Sequence, residues 1–163
     1  MSFDLFPLKD IQLIGLGFLA IASIFDITSR KVPNQLILLG LILGLFLNYF
    51  YNSQLGLTQS IYGGILGLML LFYPFHKEYL GAGDVKLFAM AGVFIGPYLI
   101  LWSFIFVVLC GGFFALIFLI ISMFLKRLTN PRKNITVKQG MPYAVPIFFG
   151  TFMAVINLQG LKI

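Results

Sequence analysis

The sequence predicts an all-α fold, a bundle of six transmembrane helices formed as a single domain over residues 1–163, and three observations predict it. The first is composition: 60% of the residues are hydrophobic, 10% are charged, and the mean hydropathy is +1.02. A soluble domain is about a quarter charged. This chain has too few charges to coat a globule in water, so its solvent is lipid. The second is that the apolar residues fall into six runs, close to the ~20 residues that a helix needs to cross hydrocarbon. The third is the placement of the basic residues, which sit in short gaps between those runs. A net charge of +6 would suit nucleic acid if it formed a stripe, but this distribution reads as membrane orientation, and no nucleic-acid partner is expected.

The runs are taken in order. The first extends from about Leu8 to Asp26, the second from Gln35 to Tyr51 and the third from Thr58 to Phe75. The fourth lies between Leu80 and Gly96, the fifth between Tyr98 and Leu125, and the sixth between Pro142 and Leu158. The fifth is long enough to tilt or to project past the bilayer. The first run lacks a basic start and a small-residue cleavage site, so it is expected to be a retained span rather than a signal peptide. Cys110 is the single cysteine and lies inside an apolar run. Neither a disulfide nor a cysteine zinc site can be built from it, and no metal or other cofactor is expected.

Orientation follows from lysine and arginine. Arg30, Lys31, Lys77, Lys86, Lys126, Arg127, Arg132, Lys133 and Lys138 fall on one side, leaving Lys9 and Lys162 for the other. The positive-inside rule puts the larger group in the cytoplasm and both termini outside it. Tyr49, Tyr51, Tyr62, Tyr98 and Trp102 then fall near outer span ends, and Tyr73, Tyr79 and Tyr143 near inner ends, where amphipathic rings are favoured. Small residues four apart recur as Gly40 and Gly44, Gly63 and Gly67, Gly92 and Gly96, Gly111 and Ala115, and Gly150 and Ala154. Such pairs let helix backbones approach closely, and say nothing about chemistry.

Against this background two aspartates stand out. Asp26 ends the first run, and Asp84 sits in Gly81-Ala-Gly-Asp-Val-Lys86 at the mouth of the fourth. Spans two and three form a hairpin between them, so both acids belong to the same membrane face. If span four ends at Gly96-Pro97, a full crossing begins near Lys77 or Glu78 and puts Asp84 about 9 Å along the axis. Gly81 and Gly83 leave the backbone of that entry stretch exposed and open to a non-helical path. Irregular backbone at such depth is tolerated where it lines a wet cavity or is buried in protein. A pocket reaching from the cytoplasm into the inner leaflet is the expected consequence.

A lone buried aspartate takes up a proton, because desolvation disfavours its charged form. Two close carboxyls share one proton over a broad pH range. The ionised partner can then draw a proton from water while the protonated one polarises an amide carbonyl. That is peptide hydrolysis without a covalent intermediate. Other readings compete. Either acid alone reads as a helix cap or a residue at the interface. The pair also suits a proton or cation path, so a small proton-coupled channel or transporter subunit is the alternative.

Taken together, the motifs resemble the type IV prepilin peptidases and archaeal preflagellin peptidases, a family of intramembrane aspartic proteases. The residues that carry the resemblance are Asp26 with Val32-Pro33-Asn34, then Gly81-Ala82-Gly83-Asp84-Val85-Lys86-Leu87, and a proline-rich start to the last span, Pro142-Tyr-Ala-Val-Pro146. The match extends from span one to span six. The resemblance implies an endopeptidase of the inner membrane that removes the short basic leader of pilin-like precursors at the cytoplasmic edge of the precursor's hydrophobic segment. Its partners would be prepilin-like or preflagellin-like precursors and membrane lipid. The substrate class ranges over type IV pilins, tight-adherence fimbrial pilins, competence pseudopilins and archaellins.

By the same resemblance Asp26 and Asp84 would be the catalytic pair, and Gly81 and Gly83 would let an extended substrate backbone approach. Pro33 and Asn34 would shape the site. Lys86 would tune the pair, meet an acidic residue of the precursor, or anchor at the interface. Glu78 would orient substrate or pair with Lys77. His76 is a candidate proton shuttle or an incidental interfacial histidine. The Lys126–Lys138 loop reads as an orientation signal and a lipid-headgroup contact. Many bacterial members carry a cytoplasmic insert with paired cysteines that supports N-methylation, which these 163 residues do not contain, so the resemblance is to short, peptidase-only forms. Presenilin-like proteases also use Gly-x-Gly-Asp but fit less well, because Phe25 stands where that group has tyrosine and the spans are too few.

Overall fold

In the computed structural model, which describes residues 6–78, 80–128 and 143–160, the chain is all-helical and no strand occurs among the described residues. Four elements follow one another: α1 (Phe6–Ser29), α2 (Asn34–His76), α3 (Ala82–Leu128) and α4 (Ala144–Gly160). Within the first three, Asp10–Ser29, Asn34–His76 and Ala82–Ile121 are long and apolar enough to cross a membrane, and Ala144–Asn157 is a shorter apolar helix.

Helix α2 has 43 residues. As a single rod it would be about 65 Å long, twice the ~30 Å hydrocarbon thickness. It is broken at Ser53, whose φ of 57° and ψ of −152° lie outside the helical region. Both halves lie against the same stretch of α3. Gly40 backs onto Met90, and Gly44 onto Val93 and Phe94; Gly64 also backs onto Val93, and Gly67 onto the backbone of Phe88 and Ala89. One short stretch can touch both halves only if they run side by side, so α2 is a helical hairpin.

Helix α3 doubles back in the same way. Gly96 (φ 79°, ψ 174°) interrupts it just before Pro97. The rings of Phe88 and Phe104 lie 6.5 Å apart, whereas sixteen residues of straight helix would hold them about 24 Å apart. Six straight segments result, over residues 6–29, 34–52, 54–76, 82–95, 97–128 and 144–160. They correspond to the six predicted runs. The fourth begins at Ala82 rather than Leu80, so Gly83 is already helical, and the irregular entry is confined to residues before it. Tyr79, Pro142 and the Arg132–Lys138 part of the basic loop lie outside the described residues.

The segment 82–95 is the central post of the bundle. Leu87, Phe88, Met90, Ala91 and Phe94 on it are buried. Gly63 and Gly92 face each other backbone to backbone across the α2–α3 contact, and Gly150 of α4 lies against the backbone of Val107. In α1, Gly15 backs onto Phe94 and Phe18 stacks on the same ring at 6.0 Å. Asn48 is buried, and its amide donates to the carbonyls of Gly44 (3.0 Å) and Val93 (3.2 Å), tying α2 to the post. Satisfied amides of this kind matter in lipid, where an unpaired polar group costs several kcal/mol (~).

The hairpins fix which residues share an end. Ser53 and Gly96 mark one end. The C-terminus of α1, both termini of α2, and the N-termini of α3 and α4 mark the other. Asp26, Asp84, Arg30, Lys31, His76, Lys77 and Lys86 therefore gather at that second end, and Tyr49, Tyr51 and Tyr98 lie exposed toward the first.

Candidate active site

Asp26 lies in the last turn of α1, with only 7% of its surface exposed. One oxygen of its carboxylate accepts a hydrogen bond from the backbone N–H of Ala144 at 3.0 Å. Ala144 opens α4, so the acid sits on a helix N-terminus, where unpaired N–H groups favour an acceptor. Ser23, one turn back on the same face of α1, lies with Oγ 2.8 Å from the Leu19 carbonyl and 3.0 Å from that of Ala144. The hydroxyl carries one proton, so it serves one of these acceptors at a time. Between them Ser23 and Asp26 address both polar groups of a single α4 peptide residue.

Asp84 occupies the first turn of α3 and is half-buried. Its carboxylate accepts from the N–H of Gly81 at 3.1 Å. Gly81 immediately precedes the helix, so this is the returning half of a capping box, made three residues in by aspartate instead of Glu or Gln. A Cβ at Gly81 would lie 3.3 Å from that same carboxylate oxygen. The glycine thus leaves room for the acid to fold back. Nothing lies within 4 Å of a Cβ built on Gly83. Asp26 at the end of α1 and Asp84 at the start of α3 thus lie at the same end of the bundle.

The remaining predicted residues surround this pair at the same end. Pro33, with φ −61° and ψ 127°, precedes α2, and its carbonyl accepts from Leu36 (3.1 Å) and Ile37 (3.4 Å). Asn34 is the first residue of that helix and is exposed. Lys86 is exposed and two residues beyond Asp84, hence on another face of α3. Glu78 is exposed, with φ at 59°, and donates its N–H to Phe75 at 2.9 Å. His76 ends α2 and stacks on Phe72 at 6.5 Å. No group of three or more His, Cys, Asp or Glu suited to a metal ion occurs among the described residues.

Sequence reasoning missed Ser23 and Ala144. Ser23 carries a signal in its spacing, three residues before Asp26 and so on the same helical face. Ala144 carries none, because its contribution is a backbone N–H. It does lie within the proline-rich element singled out at the start of the last span.

A cavity of about 400 Å³ adjoins the site. Leu71 and Pro74 of α2, Phe104, Val107, Gly111 and Gly112 of α3, and Ile147 of α4 line it, with Leu80 and Tyr143 closing one side. Its walls are chiefly apolar and include neither aspartate, so it is not the cytoplasm-facing pocket expected from the depth of Asp84.

An apolar helical bundle with two acids gathered at one end is the build of a membrane protein with an acidic site. The model of the type IV leader peptidase family matches residues 13–119, and the chain belongs to that family. Asp26 and Asp84 both fall inside the matched stretch, while α4 lies beyond it. Among curated proteins, a prepilin leader peptidase/N-methyltransferase of Pectobacterium carotovorum is 36% identical over 91 residues, covering 52% of this chain and 32% of that protein. The preflagellin peptidase of Methanocaldococcus jannaschii is 33% identical over 90 residues, covering 53% and 38%. A prepilin leader peptidase/N-methyltransferase of Bacillus subtilis is 25% identical over 161 residues, covering 94% and 56%. The matched part of this chain thus spans about a third to a little over half of each relative's length. No solved structure matches the chain.

Proposed function

We propose that this protein is an aspartic endopeptidase of the cytoplasmic membrane that removes the short basic leader of prepilin-like precursors at the cytoplasmic face. All six segments cross the bilayer in this reading, with both termini outside the cytoplasm. The observation that carries it is the gathering of Asp26, at the end of α1, and Asp84, at the start of α3, at one end of the bundle. Membership of a leader peptidase family, and relatives named prepilin and preflagellin peptidases, supply the substrate class. The excess of lysine and arginine at the same end supports its cytoplasmic placement.

The chemistry follows from a pair holding one proton. The ionised carboxyl takes a proton from water as the water oxygen attacks the scissile carbonyl carbon. The protonated carboxyl gives its proton to the carbonyl oxygen, and a tetrahedral diol forms. On collapse the C–N bond breaks, the first carboxyl hands its proton to the departing nitrogen, and the second recovers its own from a diol hydroxyl. The dyad ends with one proton, as it began. The N–H groups of Ala144 and Gly81 hold one oxygen of each acid. The other oxygens are left for water and amide, and the two fixed donors keep both carboxyls oriented. Lys86, Glu78, Pro33 and Asn34 would border the incoming backbone rather than join the proton transfers.

Purified protein in detergent, incubated with a leader-bearing pilin precursor, tests the proposal. Cleavage at the leader junction by the wild type, lowered about 10²- to 10⁴-fold or more in Asp26→Asn and in Asp84→Asn, is the expected result. Asn keeps an oxygen acceptor for Ala144 or Gly81, so the fold should survive each change. Undiminished cleavage in either variant would remove that residue from the catalytic pair.

A further inference from the structure

Ser23 takes no part in the proton transfers, yet it touches the residue that holds one of the two acids. Its hydroxyl lies 3.0 Å from the Ala144 carbonyl, and the Ala144 N–H donates to Asp26, also at 3.0 Å. Ser23 and Asp26 share a face of α1 and are three residues, about 4.5 Å, apart along its axis. The opposed directions of α1 and α4 make the match specific. In a helix the N–H groups point toward its start and the carbonyls toward its end. Helix α4 starts at the end of the bundle where α1 stops. Its first N–H groups therefore face Asp26, the residue nearer that end, and its first carbonyls face Ser23, the deeper one. A slide of α4 by one residue, about 1.5 Å, would spoil both contacts.

We infer that Ser23 is a positioning residue: by holding the Ala144 carbonyl it keeps the start of α4 in the register that presents the Ala144 N–H to Asp26, and so sets where the free oxygen of Asp26 points. The inference rests on the leader-peptidase reading of the site. A single bond from Ala144 to Asp26 is a pivot about which the first turn of α4 could rotate, and the second contact removes that freedom. Ser23 and Ala144 are both buried, so bulk water does not stand in for the hydroxyl. The Leu19 carbonyl, 2.8 Å away on α1 itself, competes for the same proton, so losing the hydroxyl disturbs the fold little. It disturbs the reaction more, because a misplacement of about 1 Å at a reacting group can cost on the order of 10²-fold in rate. A bond of the same kind toward the opposite end of the bundle serves for comparison: Asn48 of α2 donates to the Val93 carbonyl of α3 at 3.2 Å.

Two measurements on the full chain test this. In kinetics with a leader-bearing precursor, Ser23→Ala should lower kcat about tenfold and leave KM unchanged, because the hydroxyl acts on the acid and not on the substrate. Ser23→Thr or Ser23→Cys, each of which returns a donor to that position, should recover part of the loss. Asn48→Ala should lower the unfolding midpoint while the folded protein keeps its kcat. A wild-type kcat in Ser23→Ala, a loss that neither Thr nor Cys relieves, or an equal loss in Asn48→Ala overturns the inference. If the wild type does not cleave the precursor, the functional reading falls, and infrared spectroscopy then reads the contact without turnover. The Asp26 carboxyl band, identified by its disappearance in Asp26→Asn, should shift in Ser23→Ala and stay in place in Asn48→Ala. A band that Ser23→Ala leaves unmoved would overturn the positioning role by itself.

Discussion

Asp26 and Ser23 together show how a buried acid is held by the backbone of another helix. The carboxylate receives the Ala144 N–H and the hydroxyl can reach the Ala144 carbonyl, so a backbone residue from a distant helix does the orienting. Ser23→Ala should therefore cost about 1 kcal/mol of stability at most, the net worth of one hydrogen bond, because the Leu19 carbonyl keeps its helical partner. Thermal unfolding in detergent measures this, and a loss several times larger would mean that the hydroxyl does more than bridge α1 to α4. The two acids were legible from the sequence because carboxylates are rare in an apolar chain and both adjoin turn signals. Their holders were not, since a backbone N–H has no residue identity.

At the scale of elements, the two hairpin breaks differ in how well their residues suit them. Gly96 and Ser53 both occupy a region of positive φ with extended ψ that only glycine enters without strain. Gly96→Ala should destabilise the protein by about 1–3 kcal/mol, and Ser53→Gly should stabilise it by a similar or smaller amount. Comparing unfolding midpoints of the two variants with the wild type checks both signs; a destabilised Ser53→Gly would show that the serine side chain outweighs its backbone strain. The Gly96-Pro97 break was readable as such. The Ser53 turn was placed only as a gap between runs, because Asn52-Ser53-Gln54 carries neither glycine nor proline. The start of α3 was placed too early, since Leu80 continues the apolar pattern while its backbone does not continue the helix.

For the whole molecule, the two hairpins turn four helical elements into six segments that alternate in direction. If all six cross the bilayer, a cysteine introduced at Lys86 should react with a membrane-impermeant thiol reagent only from the cytoplasmic side, and one at Ser53 only from the other. Both sites are exposed, and the test is run in a Cys110→Ala background. Labelling of both from one side would overturn the six-span arrangement. The lengths of the apolar runs made an all-helical chain of six apolar segments legible before any coordinates. The apolar recess was not, because it arises where three separate elements fail to fill the space between them, and no local pattern records that.

The bond from Ala144 to Asp26 joins the first helix of the fold to the last. A ribosome that has delivered α1, α2 and α3 into the bilayer has already supplied both acids, but not the backbone group that fixes one of them. Until α4 is made, the Asp26 carboxyl therefore has no Ala144 N–H to hold it.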